Sequence, residues 1–212
     1  MPIEFFQHCW DIVMPDVMFL FDNFYSRNMD VHRLNYGIIT LLPKLAANKI
    51  QQLRPICLLR CIYKLITKTL CIRLDPYAPK LFSIQKNAFI KNRNIMDGIM
   101  SLDELLHHTH MKKHVGIVLK LYFEKAYDKV NWEILLNCHK IRGFNETWCS
   151  WVHKILDNDS VSVKINDEMG PYFQSVKGVR QGDPLSPFFF NMVGECLTKM
   201  VLKARSNGLF EG

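Results

Sequence analysis

Val179-Arg180-Gln181-Gly182-Asp183-Pro184-Leu185-Ser186-Pro187 is the stretch whose reading organises the rest of the chain. Gly178 and Gly182 let the backbone come close to a ligand, and Gln181 can present its amide there. Asp183-Pro184 or Ser186-Pro187 then opens a long helix reaching about Lys203, whose first N–H groups are on offer to anionic oxygens. Upstream, Val161, Val163 and Ile165 alternate with polar residues, Asn166 to Gly170 is turn-rich, and Tyr172 to Val176 alternates again. That pattern predicts a β-hairpin feeding the loop.

Moving outward, Trp132 to Ile141 and Glu146 to Leu156 read as two helices broken at Gly143, and Val115 to Leu121 as a buried strand. Ile95 to Lys113 is helical. Leu58, Leu59, Ile62, Leu65, Ile66 and Leu70 form an apolar helical stripe, ended by Pro76 and Pro79. Asn35 to Leu42 is β-rich. Phe6, Trp10, Val13, Val17, Leu20, Phe21 and Phe24 recur at helical spacing in a first helix that Pro15 should bend. Helices and strands mix without a regular βαβ alternation, so the expected fold class is α+β.

The chain has 212 residues, 49% hydrophobic and 22% charged, which suits a globular core and argues against disordered or fibrous classes. No apolar stretch is long enough to span a bilayer, and Met1 to Asp11 lacks the basic start of a secretory signal. The expectation is an intracellular chain with no membrane association. Its seven cysteines show no framework spacing and read as reduced thiols, with no disulfide-linked partner.

The net charge of +7 is unevenly placed. Residues 44–93 carry eleven basic groups against one acid, Asp75. Arg60, Lys64 and Lys68 follow one another at one-turn spacing, where like charges destabilise a helix by a few tenths of a kcal/mol per pair. A segment at +10 is stabilised by an anionic partner, which points to phosphates and to nucleic acid.

With these residues in view, the chain resembles the reverse transcriptases of non-LTR (LINE-type) retrotransposons, particularly those common in plant genomes. Gly178 to Phe190 is similar to the family's GVRQGDPLSP motif B and its phenylalanine-rich helix. Ile39 to Lys44 resembles the first fingers motif. Arg54 to Lys64 resembles the second, with Cys57 where Ser is usual. Gln85 to Arg93 resembles the Q-x-x-A-F-I-K-G-R segment, with Asn92 in place of Gly, and Leu119 to Asp128 resembles motif A. The resemblance implies the fingers and partial palm of a right-hand polymerase. About 1–114 would form the N-terminal helix and fingers, and about 115–212 the palm portion with motifs A and B.

The same resemblance implies RNA-directed DNA polymerisation on an RNA template and DNA primer, through two Mg²⁺ ions held by carboxylates. Those carboxylates come from motif A and an Asp pair in motif C. Here Tyr122 stands where motif A supplies its metal-ligand Asp, and a phenol neutral at pH 7 is a poor Mg²⁺ ligand. Glu124, two residues on, is the least implausible substitute. No Asp-Asp pair follows Gly182, and the sequence ends at Gly212, about where the strand into motif C would begin. The expectation is therefore a chain inactive by itself that keeps residual nucleic-acid affinity, with Mg²⁺ not bound productively. A fragment of an active polymerase and a non-catalytic nucleic-acid-binding or scaffold remnant are the alternatives.

Carried over by resemblance, Lys44, Arg54, Tyr127, Gln181 and Gly182 are the expected nucleotide-binding residues, with Tyr127 as the aromatic gate beneath the sugar. Arg60, Lys64, Lys68, Arg73, Lys91 and Arg93 are expected to meet nucleic acid. His107, His110 and His114 beside Glu104 read better as an exposed polar face than as metal ligands. Trp132, Trp148 and Trp151 read as core. The family implies a nuclear or cytoplasmic location.

Overall fold

The computed structural model describes residues 2–43, 49–157 and 159–209. In chain order the elements are α1 (Ile3–His8), α2 (Trp10–Tyr25), β1 (Tyr36–Pro43), β2 (Leu53–Leu59), α3 (Cys61–Leu74), α4 (Ala78–Leu81), α5 (Ile95–Met111), α6 (Trp132–Ile141), α7 (Glu146–Asp157), β3 (Ser160–Ile165), β4 (Glu168–Met169) and α8 (Ser186–Ser206). The fold is α+β: a four-stranded sheet in the order β2-β1-β3-β4 with helices packed around it, a fingers-and-palm arrangement.

β1 is one of the two inner strands and organises the sheet. It pairs antiparallel with β2, with Ile39 opposite Cys57 and Leu42 opposite Arg54. On its other side it pairs in parallel with β3, Tyr36 to Ser160 through Thr40 to Lys164. The β3–β4 turn is Asn166-Asp167, both at positive φ, which short polar side chains tolerate best.

Asparagine caps set several helix starts. Asn94 Oδ1 accepts from Met96 N (3.0 Å), Asn131 from Ile134 N (2.9 Å) and Asn145 from Trp148 N (2.9 Å). One apolar core joins these pieces. Tyr63, Ile66 and Leu70 of α3 meet Leu135 of α6, Val152 of α7, and Phe189 and Met192 of α8. Each such side chain contributes about 1.5–3 kcal/mol by leaving water.

Five expectations need correction. The first helix is broken at Cys9, while Pro15 is held inside α2. Leu58 and Leu59 belong to β2, and Arg60 is the cap residue before α3; strand pairing with β1 overrides the helical spacing there. Tyr172 to Val176 makes only one bridge, Val161 with Phe173, because β4 ends early.

Val115 to Leu121 forms no strand and is not buried. Val115 and Ile117 are 101% and 96% exposed, and no strand lies alongside among the described residues. β-propensity without a ladder partner does not hold a strand. Finally, the cysteines are not all free thiols: Cys138 of α6 and Cys196 of α8 are joined as a disulfide, their Cα atoms 7.1 Å apart. The side-by-side packing of α6 and α8 brings together two positions whose sequence spacing announces nothing. α5 differs from the other long helices in burying no residue, with Ile95, Ile99, Leu102 and Leu106 all exposed.

Candidate functional site

The loop at Gly178–Asp183 is the meeting point of three distant stretches. From the fingers, Cys57 N of β2 donates to Gln181 O at 2.8 Å. From the turn after the extended segment, Tyr127 O accepts from Val179 N at 2.8 Å, and Val130 O accepts from Gly178 N at 2.7 Å. From α6, Trp132 Nε1 donates to Gly178 O at 2.7 Å. These approaches explain the two glycines. A Cβ on Gly182 (φ +112°) would lie 2.7 Å from Cys57 O, and one on Gly178 (φ +90°) 2.9 Å from Asp128 O. Only glycine fits both the backbone angle and the space.

Behind the loop lies a cavity of about 160 Å³, lined among others by Cys57, Tyr63, Asp128, Asp159, Arg180 and Asp183. Arg180 is its central cation. Its Nη2 lies 3.2 Å from Asp159 Oδ2, its Nη1 donates to Asn35 Oδ1, and its guanidinium sits 5.6 Å from the Tyr63 ring centre. Asp159 also accepts from Ser175 N at 2.7 Å, and Asn35 Nδ2 donates to Ile155 O at 2.9 Å. The pair thus ties the loop to the starts of both β1 and β3.

Burial governs the other ionisable groups. It raises the Asp183 carboxyl above its ordinary value, against the lowering effects of Thr67, Leu185 N, Arg180 and Ser186. It raises Cys57 and Tyr63 in the same way, which keeps both neutral. The half-buried Asp128 is also raised by desolvation, with Lys125 opposing.

The structure brings some of the expected residues together and scatters others. Tyr127 is half-buried and stacks on Phe190 of α8, ring centres 5.0 Å apart at 15°. Gln181 is half-buried and Gly182 exposed on the same loop, and Arg54 is exposed three residues before Cys57 on β2. Arg60 and Arg73 are exposed and lie over the rings of Tyr36 (5.1 Å) and Tyr25 (5.3 Å). Lys64 and Lys68 lie between them on α3. Lys91 is exposed, whereas Arg93 is turned inward onto three carbonyls: Phe82 O at 3.2 Å, Ser83 O at 2.6 Å and Lys86 O at 2.7 Å. Lys44 lies outside the described residues.

Trp148 is buried, and Trp151 packs against Phe24 and Tyr25. Sequence reasoning missed Arg180, Asp159 and Asn35 as a unit. Their meeting depends on the parallel β1–β3 pairing, for which no local pattern exists.

Residues 43–208 match the family model described as "Reverse transcriptase (RNA-dependent DNA polymerase)". The chain belongs to the reverse transcriptase family. It is 27% identical over 211 residues to a Transposon TX1 uncharacterized 149 kDa protein of Xenopus laevis, covering 98% of this chain and 16% of that protein. It is 22% identical over 169 residues to the Pol polyprotein from the type-2 retrotransposable element R2DM of Drosophila melanogaster, covering 79% of this chain and 16% of the relative. A third, from a type-1 element R2 of Popillia japonica, is 27% identical over 145 residues, 66% of this chain and 20% of the relative. This reverse transcriptase chain therefore spans about a sixth to a fifth of the length of these relatives, and its relationship is to the Pol proteins of non-LTR retrotransposons.

The Mg²⁺ chemistry of reverse transcriptases requires clustered carboxylates, and the side chains near the loop do not fit it. Among the described residues no group of three or more His, Cys, Asp or Glu is placed to hold a metal ion. Tyr122 is 82% exposed, and Glu124 is exposed with Lys129 Nζ 3.9 Å away. Asp159 is taken up by Arg180. Among the described residues no helix is long and apolar enough to cross a membrane.

Proposed function

We propose that this chain is the fingers (about 1–114) and partial palm (about 115–212) of a reverse transcriptase from a non-LTR retrotransposon of the plant type, keeping the surfaces that hold nucleotide and nucleic acid but not the means to polymerise by itself. The observation that supports this reading best is the joining of β2, the Tyr127 turn and the Gly178–Asp183 loop by backbone hydrogen bonds. A nucleotide pocket needs those three parts fixed to one another before it can recognise anything.

In this reading Tyr127, Gln181 and Gly182 meet base and sugar, and Lys44 and Arg54 meet the triphosphate, Arg54 through two-pronged contacts. Arg60, Lys64, Lys68, Arg73 and Lys91 attract an RNA template and DNA primer, while Arg93, expected among them, is spent on the carbonyls of Phe82, Ser83 and Lys86. Tyr122, at the position of the motif A aspartate, offers no anionic oxygen, and the exposed Glu124 is a weak replacement. The location implied is nucleus or cytoplasm.

Primer extension on an RNA template tests the reading. The chain as it stands should incorporate no deoxynucleotide, and incorporation would overturn the proposal. RNA binding should weaken with salt. Lys64→Ala, Lys68→Ala and Arg73→Ala together should lower both the affinity and the salt slope, the latter by about 0.7 for each phosphate no longer neutralised.

A second reading, a segment of an active RNA-directed DNA polymerase, is favoured by the small share of its relatives that the chain spans. Extension by a version carrying Tyr122→Asp and a restored motif C, and also by one carrying motif C alone, would favour it.

A further inference from the structure

The loop between α4 and α5 holds an aromatic side chain in solvent at a fixed point. Phe89 is 73% exposed, while its neighbour Ile90 is buried in the core. Phe89 has φ +59°, a left-handed conformation that a bulky non-glycine residue adopts only at a cost. Leaving the ring in water forgoes the stabilisation of its burial as well. Glycine or asparagine would make the same turn without either cost, as Asn92 does three residues later at φ +63°.

The loop does not move freely. Arg93 donates to the carbonyls of Phe82, Ser83 and Lys86, and Asn191 Nδ2 of α8 donates to Ala88 O at 2.8 Å, one residue before the ring. Glu195 of α8, itself buried, accepts from Ser83 N (3.1 Å) and Ser83 Oγ (2.9 Å) and pairs with Arg142 at 3.3 Å. The loop is therefore bolted to α8 at two points and internally by a guanidinium. Between Asp75 and Asp97 the sequence has no acidic residue, and Lys80, Lys86, Lys91 and Arg93 fall within that stretch. An open groove of about 520 Å³ beside the ring is lined by Asn87, Phe89, Asn92, Asn94 and the acidic Asp97, and the exposed Asn92 amide can meet polar edges there.

We propose that Phe89 is a stacking platform for a base of single-stranded nucleic acid, with the exposed Lys91 two residues on to meet the backbone. The inference rests on the nucleic-acid reading above and adds a residue and a contact type to it. Stacking is sequence-tolerant because every base has a π face, and a ring held rigidly beforehand loses little entropy when it engages. Arg93, turned inward, acts here as the residue that positions the platform.

The test is fluorescence anisotropy on the full chain with an oligothymidylate of about 12 nucleotides and an abasic oligomer of the same backbone. Phe89→Ala should weaken oligothymidylate binding by about 5- to 150-fold, the range that 1–3 kcal/mol of stacking corresponds to. It should leave abasic binding and the salt slope unchanged, and Phe89→Trp should keep the affinity. Lys91→Ala should weaken both oligomers and reduce the slope. If Phe89→Ala affects neither oligomer, or both equally, while the unaltered chain binds, the stacking assignment fails and the nucleic-acid reading stands. If the unaltered chain binds neither oligomer, both fail. Because Phe89 is exposed, the variant should melt like the parent, which circular dichroism checks.

Discussion

Arg180 Nη2 and Asp159 Oδ2 are 3.2 Å apart in a part of the molecule that solvent barely reaches, and they join the residue before Gln181 to the residue just ahead of β3. Removing one member leaves the other charge buried and unpaired, at a cost of about 3–5 kcal/mol. Asp159→Ala should therefore lower the urea midpoint strongly, with Arg180→Ala doing the same. The pair Arg180→Met with Asp159→Leu should recover much of the loss. Additive losses in the double-mutant cycle would show that the two side chains act separately.

The loop glycines give a sharper test of geometry. Gly182→Ala places a Cβ against Cys57 O at an angle alanine disfavours, and should cost about 2–4 kcal/mol. Gly143→Ala has a similar positive φ but nothing within 4 Å, so only the backbone cost of about 1 kcal/mol applies. Thermal melts of the two variants should separate clearly. Equal losses would mean that the close approach of β2 to the loop is not maintained in solution.

Stability should depend on pH through His139. The ring is fully buried against Phe144, Trp148 and Phe189. Its Nδ1 donates to Leu135 O at 2.8 Å, and Nε2 finds no partner among the described residues. Desolvation holds its pKa below 6.5, outweighing the hydrogen bond. Below pH 6.5 the unfolded chain takes up a proton that the folded chain refuses. Stability is thus full above that value and falls towards the lower folded pKa, by up to about 1.4 kcal/mol per pH unit.

Asp183 acts in the opposite sense. Its raised pKa stabilises the fold at low pH, and that contribution is lost as pH rises from 3.8 through the folded value. His139→Leu should flatten the decline below pH 6.5, and Asp183→Asn the slope that begins at pH 3.8 and runs upward, both read by denaturant titration across pH.

The extended segment after α5 should govern self-association. Val115, Ile117, Leu119, Leu121 and Phe123 are all exposed, and unpaired apolar backbone invites pairing between molecules. Ile117→Lys with Leu119→Lys should reduce light scattering at high concentration. Because both side chains already stand in solvent, folding stability should change by no more than about 0.5 kcal/mol. A large drop in stability would mean that the segment is packed.

Most of the helices and the loop at Gly178–Asp183 were legible because they carry their own punctuation: Gly143 as a break, Pro76 and Pro79 as stops, the Gly and Pro residues around Gln181. Features that depend on partners were not. Leu58 and Leu59 fit a helical stripe equally well and became strand because β1 lies alongside. Val115 to Leu121 has strand composition and lacks a neighbour. Tyr127, Gln181 and Gly182 were expected together from their motifs, and backbone hydrogen bonds bring them to one loop. The cluster of Arg180, Asp159 and Asn35 could not be expected, since it unites three ends that only the assembled sheet brings together.

The parallel pairing of β1 with β3 sets a timetable for synthesis. Tyr36 finds Ser160 only after α3 to α7 have been translated. At about 5–20 residues per second the ribosome needs on the order of ten seconds to deliver that stretch. Until then one flank of β1 is open, and a nascent chain in that interval is a natural client for the chaperones that shield unfinished sheets.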